Sequence, residues 1–273
     1  MSRTTPPPLR TGDLRIEWPR VVLPLVTLAI GVVAWDLVVR LKDIPPFILP
    51  GPGLVAATVV SDWPLLWGSL LVTLTTTFYA LALAFAGGVG LAFLFNQSRW
   101  MEHSLYPYAV ILQVTPVVAV APLLLIYLPQ QAAVLTCAWI VAFFPILANT
   151  TLGLASVDRN LVDLFKIYGA SPIKMLLRLK LPAALPYMLA GLRIAGGLSL
   201  VGAVVAEISA GSAGAGSGLA YRIAESAYRL NIARMFAALI LLSITGIAIF
   251  FTLSFVSYLS LRRWHESAVA SEP

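Results

Sequence analysis

The chain has 273 residues, 59% of them hydrophobic and only 11% charged, with a mean hydropathy of +0.90 and a net charge of +6 at neutral pH. A soluble domain carries about 25% charged residues, so this composition excludes an ordinary water-solvated domain and makes lipid the expected solvent. The positive balance does not point to nucleic acid, because the cations are dispersed at the ends of apolar stretches instead of forming one basic face.

Residues 1–20, MSRTTPPPLRTGDLRIEWPR, read as a basic, proline-rich cytoplasmic tail. No short apolar run with a small-residue cleavage site follows, so the first span is expected to be retained. A hydrocarbon core of about 30 Å takes about 20 mostly apolar residues as helix. Six stretches qualify: 21–41, 69–95, 104–128, 130–152, 186–209 and 235–260. They predict an all-α integral membrane protein with a six-helix transmembrane domain over 21–264 and a C-terminal tail over 265–273. Positively charged loops tend to stay in the cytoplasm. Arg3, Arg10, Arg15 and Arg20 of the tail, Arg99, Arg159, Lys166, Lys174, Arg178, Lys180, Arg262 and Arg263 fall on one side. They outweigh Arg40, Lys42, Arg222, Arg229 and Arg234 on the other, so both termini are expected inside.

Ionisable and polar groups within spans are functional candidates. In span three, Gln113 and Thr115 stand beside Pro116 and Pro122. Proline frees carbonyls in a helix, so this is either a kinked gate on a solute path or plain packing. Cys137, the single cysteine, lies within span four and permits no internal disulfide. Span five carries Arg193 at its inner end, Ser199 at mid-depth and Glu207 near its outer end. Ser199 and Glu207 join Gln113, Thr115 and Pro116 as path candidates, the alternative for Glu207 being a structural bond near the outer surface.

Between spans four and five, LVDLFKIYGASPIKMLLRLKLPAALP, residues 161–186, places charges among apolar residues at helical spacing. Asp158 can cap a first helix, and Gly169 follows its last periodic residue, where a left-handed residue commonly ends a helix. Ser171 with Pro172 is a second N-cap with proline at the first helical position. Pro182 and Pro186 are expected to mark that helix's end and the lead into span five. Leu161, Leu164, Phe165 and Tyr168 form a stripe, with Asp163 and Lys166 off it. The segment is either an amphipathic loop resting on the membrane or a knob whose stripe enters a partner's groove.

Asp163-Leu164-Phe165, Gly169, Leu179 and Leu181-Pro182 resemble the cytoplasmic EAA…G…I.LP loop of permease subunits of binding-protein-dependent ABC importers. GASP, LPAALPYMLAGLRIAGG, VAE at Glu207 and FFPILANTTLGL extend the resemblance to the nitrate/sulfonate/taurine-type branch, over roughly residues 69–264. The string Gln113…Pro116…Ala119…Ala121-Pro122-Leu123 is similar to the sub-branch that imports pyrimidine precursors of thiamine. The departures are Asp-Leu-Phe in place of Glu-Ala-Ala, and IYLPQQAA in place of a glycine-containing turn after span three.

The resemblance implies an ABC importer type I permease architecture in a bacterial cytoplasmic (inner) membrane. It implies that the loop at about 153–185 couples the permease to an ATPase, with Asp163, Leu164, Phe165, Lys166, Tyr168, Gly169, Ser171, Pro172, Leu181 and Pro182 in that role. The expected partners are two ATPase subunits, a second permease subunit as a homodimer, an external substrate-binding protein and lipid. The chain has no GxxxxGK[ST] loop to cradle phosphates, so ATP and Mg belong to the partner subunit, and the chain itself is expected to carry no cofactor, no metal and no enzymatic activity. The expected cargo is a small polar solute, either a sulfonate-, nitrate- or taurine-like anion or a pyrimidine precursor. Before span six a Gly/Ser-rich stretch, SAGAGSG at 212–218, leads into an amphipathic helix; the helix either floats at the interface or presents Arg222, Arg229 and Arg234 to the binding protein.

Two other classes compete with this reading. An intramembrane serine hydrolase using Ser199 needs a base within reach, and the only histidines, His103 and His265, fall outside the spans. An ion-coupled carrier or channel is the stronger rival, and dependence on ATP or on a gradient separates it from an importer.

Overall fold

The computed structural model describes residues 18–211 and 216–262, with side chains from residue 22 onward. The expected tails, including Arg3, Arg10, Arg15 and His265, and residues 212–215 of the Gly/Ser stretch lie outside the described residues. All regular structure among the described residues is helical. The order is α1 Trp18–Leu41, α2 Pro52–Ser61, α3 Trp63–Gln97, α4 Arg99–Val114, α5 Val117–Tyr127, α6 Gln130–Ala155, α7 Arg159–Ile167, α8 Pro172–Met175, a π-helical turn Leu176–Lys180, α9 Leu181–Ala210, α10 Leu219–Tyr228 and α11 Ile232–Leu261.

Five helices are long and apolar enough to cross a membrane, and the count reaches six if α4 and α5 together make one span. In lipid there is no hydrophobic force between helices, so small residues that let backbones approach take over. The centre of the fold is built that way. A Cβ on Gly202 of α9 would come within 2.8 Å of the Ala138 Cα on α6 and 3.1 Å of the Cys137 carbonyl. One on Gly191 would come within 2.9 Å of the Pro145 carbonyl. Around this α6–α9 seam, Phe95, Ile146, Leu147 and Leu154 are fully buried and extend the packing to α3. At the other extreme, none of the apolar window of α1 is buried; Trp35 meets Phe236 of α11, their ring centroids 5.7 Å apart.

Span three differs from the single helix expected over 104–128. α4 stops at Val114 and α5 leaves at 99° to it. The residue before a proline is pushed out of the helical region by the ring, and Thr115 accordingly sits at φ −70, ψ 121. Pro116 therefore makes a corner, while Pro107 and Pro122 are accommodated inside helices.

Pro182 and Pro186 do not end the second loop helix. α8, the π-turn and α9 form one apolar helical stretch, Pro172–Ala210. A proline inside a helix removes an amide and crowds the carbonyl four residues back; the π-turn just ahead of Pro182 loosens the ladder there and lets the helix continue.

Candidate functional site

Three places gather the residues singled out above. The first is the end of the bundle carrying α7 and α8. Asp158 caps α7 by accepting from the Asn160 amide at 2.9 Å, and Ser171 caps α8 by accepting from the Lys174 amide at 3.3 Å. Between them Gly169 adopts φ +69, a left-handed conformation that costs other residues roughly 1–2 kcal/mol. These signals fold as the sequence suggests. Asp163 and Lys166 pair with each other at 2.9 Å while both remain well exposed.

The apolar stripe is only partly covered. Leu161 and Leu164 are exposed, Tyr168 is 82% exposed, and Ile167 and Ile173 join them, whereas Phe165 turns partly inward. Leu181 and Pro182 are half-buried in the first turn of α9, where Leu181 packs against the main core.

The second place is the α4–α5 corner. Gln113, Thr115 and Pro116 line an open cavity of about 350 Å³ whose other wall is Ile140, Val141 and Pro145 of α6 and Leu198 of α9. Its lining contains no charged side chain. The Thr115 hydroxyl donates to the Ile111 carbonyl at 2.6 Å, which leaves its oxygen free to accept. Ser199, one residue past Leu198, is fully buried and donates to the Thr77 carbonyl of α3 at 2.9 Å. The structure thus places Ser199 in the α3–α9 seam, away from the corner cavity.

The third place is the opposite end of α9. Glu207 is buried; its Oε2 accepts from the Thr73 hydroxyl and from the Ala220 amide, both at 3.0 Å. Thr73 in turn accepts from the Leu219 amide at 2.8 Å. The first two amides of α10 are therefore capped from other helices, α3 and α9. A carboxylate at a helix N-terminus also complements the helix dipole. This is the structural-bond alternative for Glu207, and it ties three elements together.

Of the three arginines expected to face a binding protein, only Arg229 is well exposed. Arg222 is turned inward, donating to the Ser69 hydroxyl at 3.0 Å and to Glu225 at 2.7 Å. Arg234 is half-buried in an ion pair with Asp62 of the α2–α3 turn. The Arg222 guanidinium, hydrogen-bonded to Glu225, holds that carboxyl below the usual carboxylate range; partial burial opposes this, and the charges of Arg222, Arg229 and Arg234 add to it.

Sequence reading missed Ser69, Thr73 and Asp62. The available signal was the spacing of Ser69, Thr73 and Thr77, four apart on one face of an apolar helix. All three are buried.

Residues 84–266 match the family described as binding-protein-dependent transport system inner membrane component. The chain belongs to this family. It is 36% identical to the riboflavin transport system permease protein RibX of Chloroflexus aurantiacus over 74% of this chain and 76% of that protein. It is 32% identical to the formylaminopyrimidine transport permease protein ThiX of Halalkalibacterium halodurans over 79% of this chain and 85% of that protein. The fold is similar to the crystal structure of an amino acid ABC transporter with histidines, with a TM-score of 0.60 and 20% identity over 76% of this chain and 97% of that one. The protein is thus a multi-pass permease component of a binding-protein-dependent ABC importer, with the type I architecture the resemblance implied. Membership in the importer permeases favours the importer over the ion-coupled carrier as the reading of the chain.

Proposed function

We propose that α7 and α8 receive motion from an ATPase subunit and pass it to α9, and that the α4–α5 corner lies on the path of a small, flat, uncharged heterocycle. The observation that carries the first half is the position of the knob. Exposed Leu164, Ile167, Tyr168 and Ile173 stand on capped, glycine-jointed helices. The second of these helices continues into α9. Exposed apolar patches of this kind mark interaction sites. The cation distribution supports a cytoplasmic position for this end and for both termini, and ATP and Mg would then be bound by the partner.

A single chain supplies half of such a path, so a second copy and two ATPase subunits complete the assembly. On the external side, the exposed Arg229 is the contact offered to the substrate-binding protein.

The lining of the corner cavity supports the cargo class. An anion such as a sulfonate or nitrate would be left without a cation there, and burying an unpaired charge is costly. Gln113 and Thr115 among aliphatic walls suit hydrogen-bonding edges on a flat apolar body. Riboflavin and formylaminopyrimidine, the solutes in the names of two relatives, are planar nitrogen heterocycles.

The test is ATP-dependent uptake by the chain co-reconstituted with its ATPase and binding protein, comparing a pyrimidine, a flavin and taurine. Uptake of a heterocycle and not of taurine is expected; selective taurine uptake overturns the cargo class. In the same vesicles Gly169→Val should insert normally and hydrolyse ATP without transport, whereas wild-type transport by that variant removes the coupling role.

A further inference from the structure

A cavity of about 580 Å³ opens at the α7–α8 end, at the junction of α3, α4, α6, α7 and the π-turn. Its charged rim consists of Arg99, Arg159, Lys166 and Lys180 against Glu102 and Asp163. Asp163 is taken up by Lys166 at 2.9 Å, Lys180 donates to the neutral Asn96 side-chain oxygen at 2.8 Å, and Glu102 is the rim carboxylate left outside an ion pair among the described residues. Arg99 and Arg159 have no ion-pair partner among the described residues, and both are exposed at the rim. The floor, formed by Ala92, Phe95 and Leu154, is apolar.

We propose that this cavity binds a phosphate-type anion, its oxygens held by Arg99, Arg159 and Lys180. The phosphodiester headgroup of an anionic lipid fits it best, and a soluble phosphate shares the same chemistry. Arginine suits phosphate because its planar fork offers paired donors. Basic pockets between transmembrane helices on the cytoplasmic side take anionic headgroups. The apolar floor would meet a lipid's glycerol and upper acyl carbons, which inorganic phosphate lacks. Trp100, exposed on the first turn of α4 beside Arg99, is of the residue type that concentrates at membrane–water interfaces. Only the choice of a cytoplasmic leaflet rests on the orientation proposed above; the anion chemistry does not. Because α7 forms one wall, an occupant would brace the segment against α3, α4 and α6.

The experiment is native mass spectrometry of the full-length chain with added phosphatidylglycerol, phosphatidylcholine or inorganic phosphate. The double variant Arg99→Gln/Arg159→Gln is compared with Arg229→Gln at the opposite end. These rim arginines support no internal bond, so the variants should fold, which the thermal unfolding temperature checks. Retention of phosphatidylglycerol over phosphatidylcholine is expected, roughly thirtyfold weaker when the two rim charges are removed and unchanged in Arg229→Gln. Adducts with inorganic phosphate that compete with the lipid and vanish in the double variant identify a soluble phosphate as the source and keep the anion site. Equal lipid retention by the double variant and the wild type, with no phosphate adduct, overturns the proposal. So does loss of ATPase recovery in the double variant with lipid and phosphate retention unchanged, which would make the cavity a protein-docking surface. Transport uncoupling in Gly169→Val is read separately, so the two proposals fail independently.

Discussion

The α6–α9 seam and the α7–α8 knob are joined by a continuous helix, yet they are built on opposite principles. In the seam, Gly191 and Gly202 bring backbones so close that even a methyl group has no place. In the knob, a Cβ on Gly169 would meet nothing within 4 Å, and large apolar side chains stand in the open. In the seam glycine is needed for space, and in the knob it is needed for conformation. The first region is satisfied within the chain; the second leaves its apolar surface for something else to cover.

Substitutions should separate the two. Gly202→Leu forces the α6 backbone away and should destabilise the protein by about 3 kcal/mol, read as a lower unfolding temperature in detergent. An unchanged temperature would mean that the seam can yield, and the contrast would collapse. Glu207→Leu removes the cap on α10 and should cost about 2 kcal/mol, appearing locally as faster hydrogen exchange at the Leu219 and Ala220 amides. Glu207→Gln keeps an acceptor and should lose less; equal losses would show that the bond to Ala220 matters little.

Glu225 gives a smaller, pH-dependent effect. Its carboxyl titrates lower in the folded protein than in the unfolded chain, chiefly through the Arg222 hydrogen bond. Its contribution is therefore fully present above the unfolded value of about 4.3, and is lost as pH falls through the lower, folded one. A melting-temperature profile from pH 6 downward should drop more steeply in the wild type than in Glu225→Gln; parallel profiles would remove the ion pair from the account. The smallest effect on stability is expected for Asp163→Lys. It breaks an exposed pair three residues apart, for no more than about 0.5 kcal/mol. It should nevertheless weaken co-purification of the ATPase subunit, and unchanged recovery would remove Asp163 from the docking surface.

What the sequence discloses follows from how local each cause is. The spans were legible because hydropathy over a helix length is a local sum, and the Asp158 and Ser171 caps and the left-handed Gly169 were legible because turn chemistry is written in adjacent residues. α2 was not anticipated, since ten apolar residues are too short to stand out as a span. Pro116 and Pro182 carry the same local signal with opposite outcomes, a corner and a continuous helix, because the π-turn ahead of Pro182 absorbs what Thr115 does not. The inward turn of Arg222 and the cap built by Glu207 depend on Ser69 and Thr73, far away in the chain, so no local pattern could report them.

The helical stretch Pro172–Ala210 holds 39 residues, which at about 1.5 Å per residue makes a rod of about 58 Å, nearly twice the hydrocarbon thickness of about 30 Å. Leu198, on the wall of the corner cavity, sits along this rod, and Glu207 sits near its far tip. The π-turn, Pro182 and Pro186 near its first end are the places where this rod can flex. On the coupling proposed above, motion of the near tip is carried along one helix past the cavity wall to the cap of α10, so the three places lie in series on a single element.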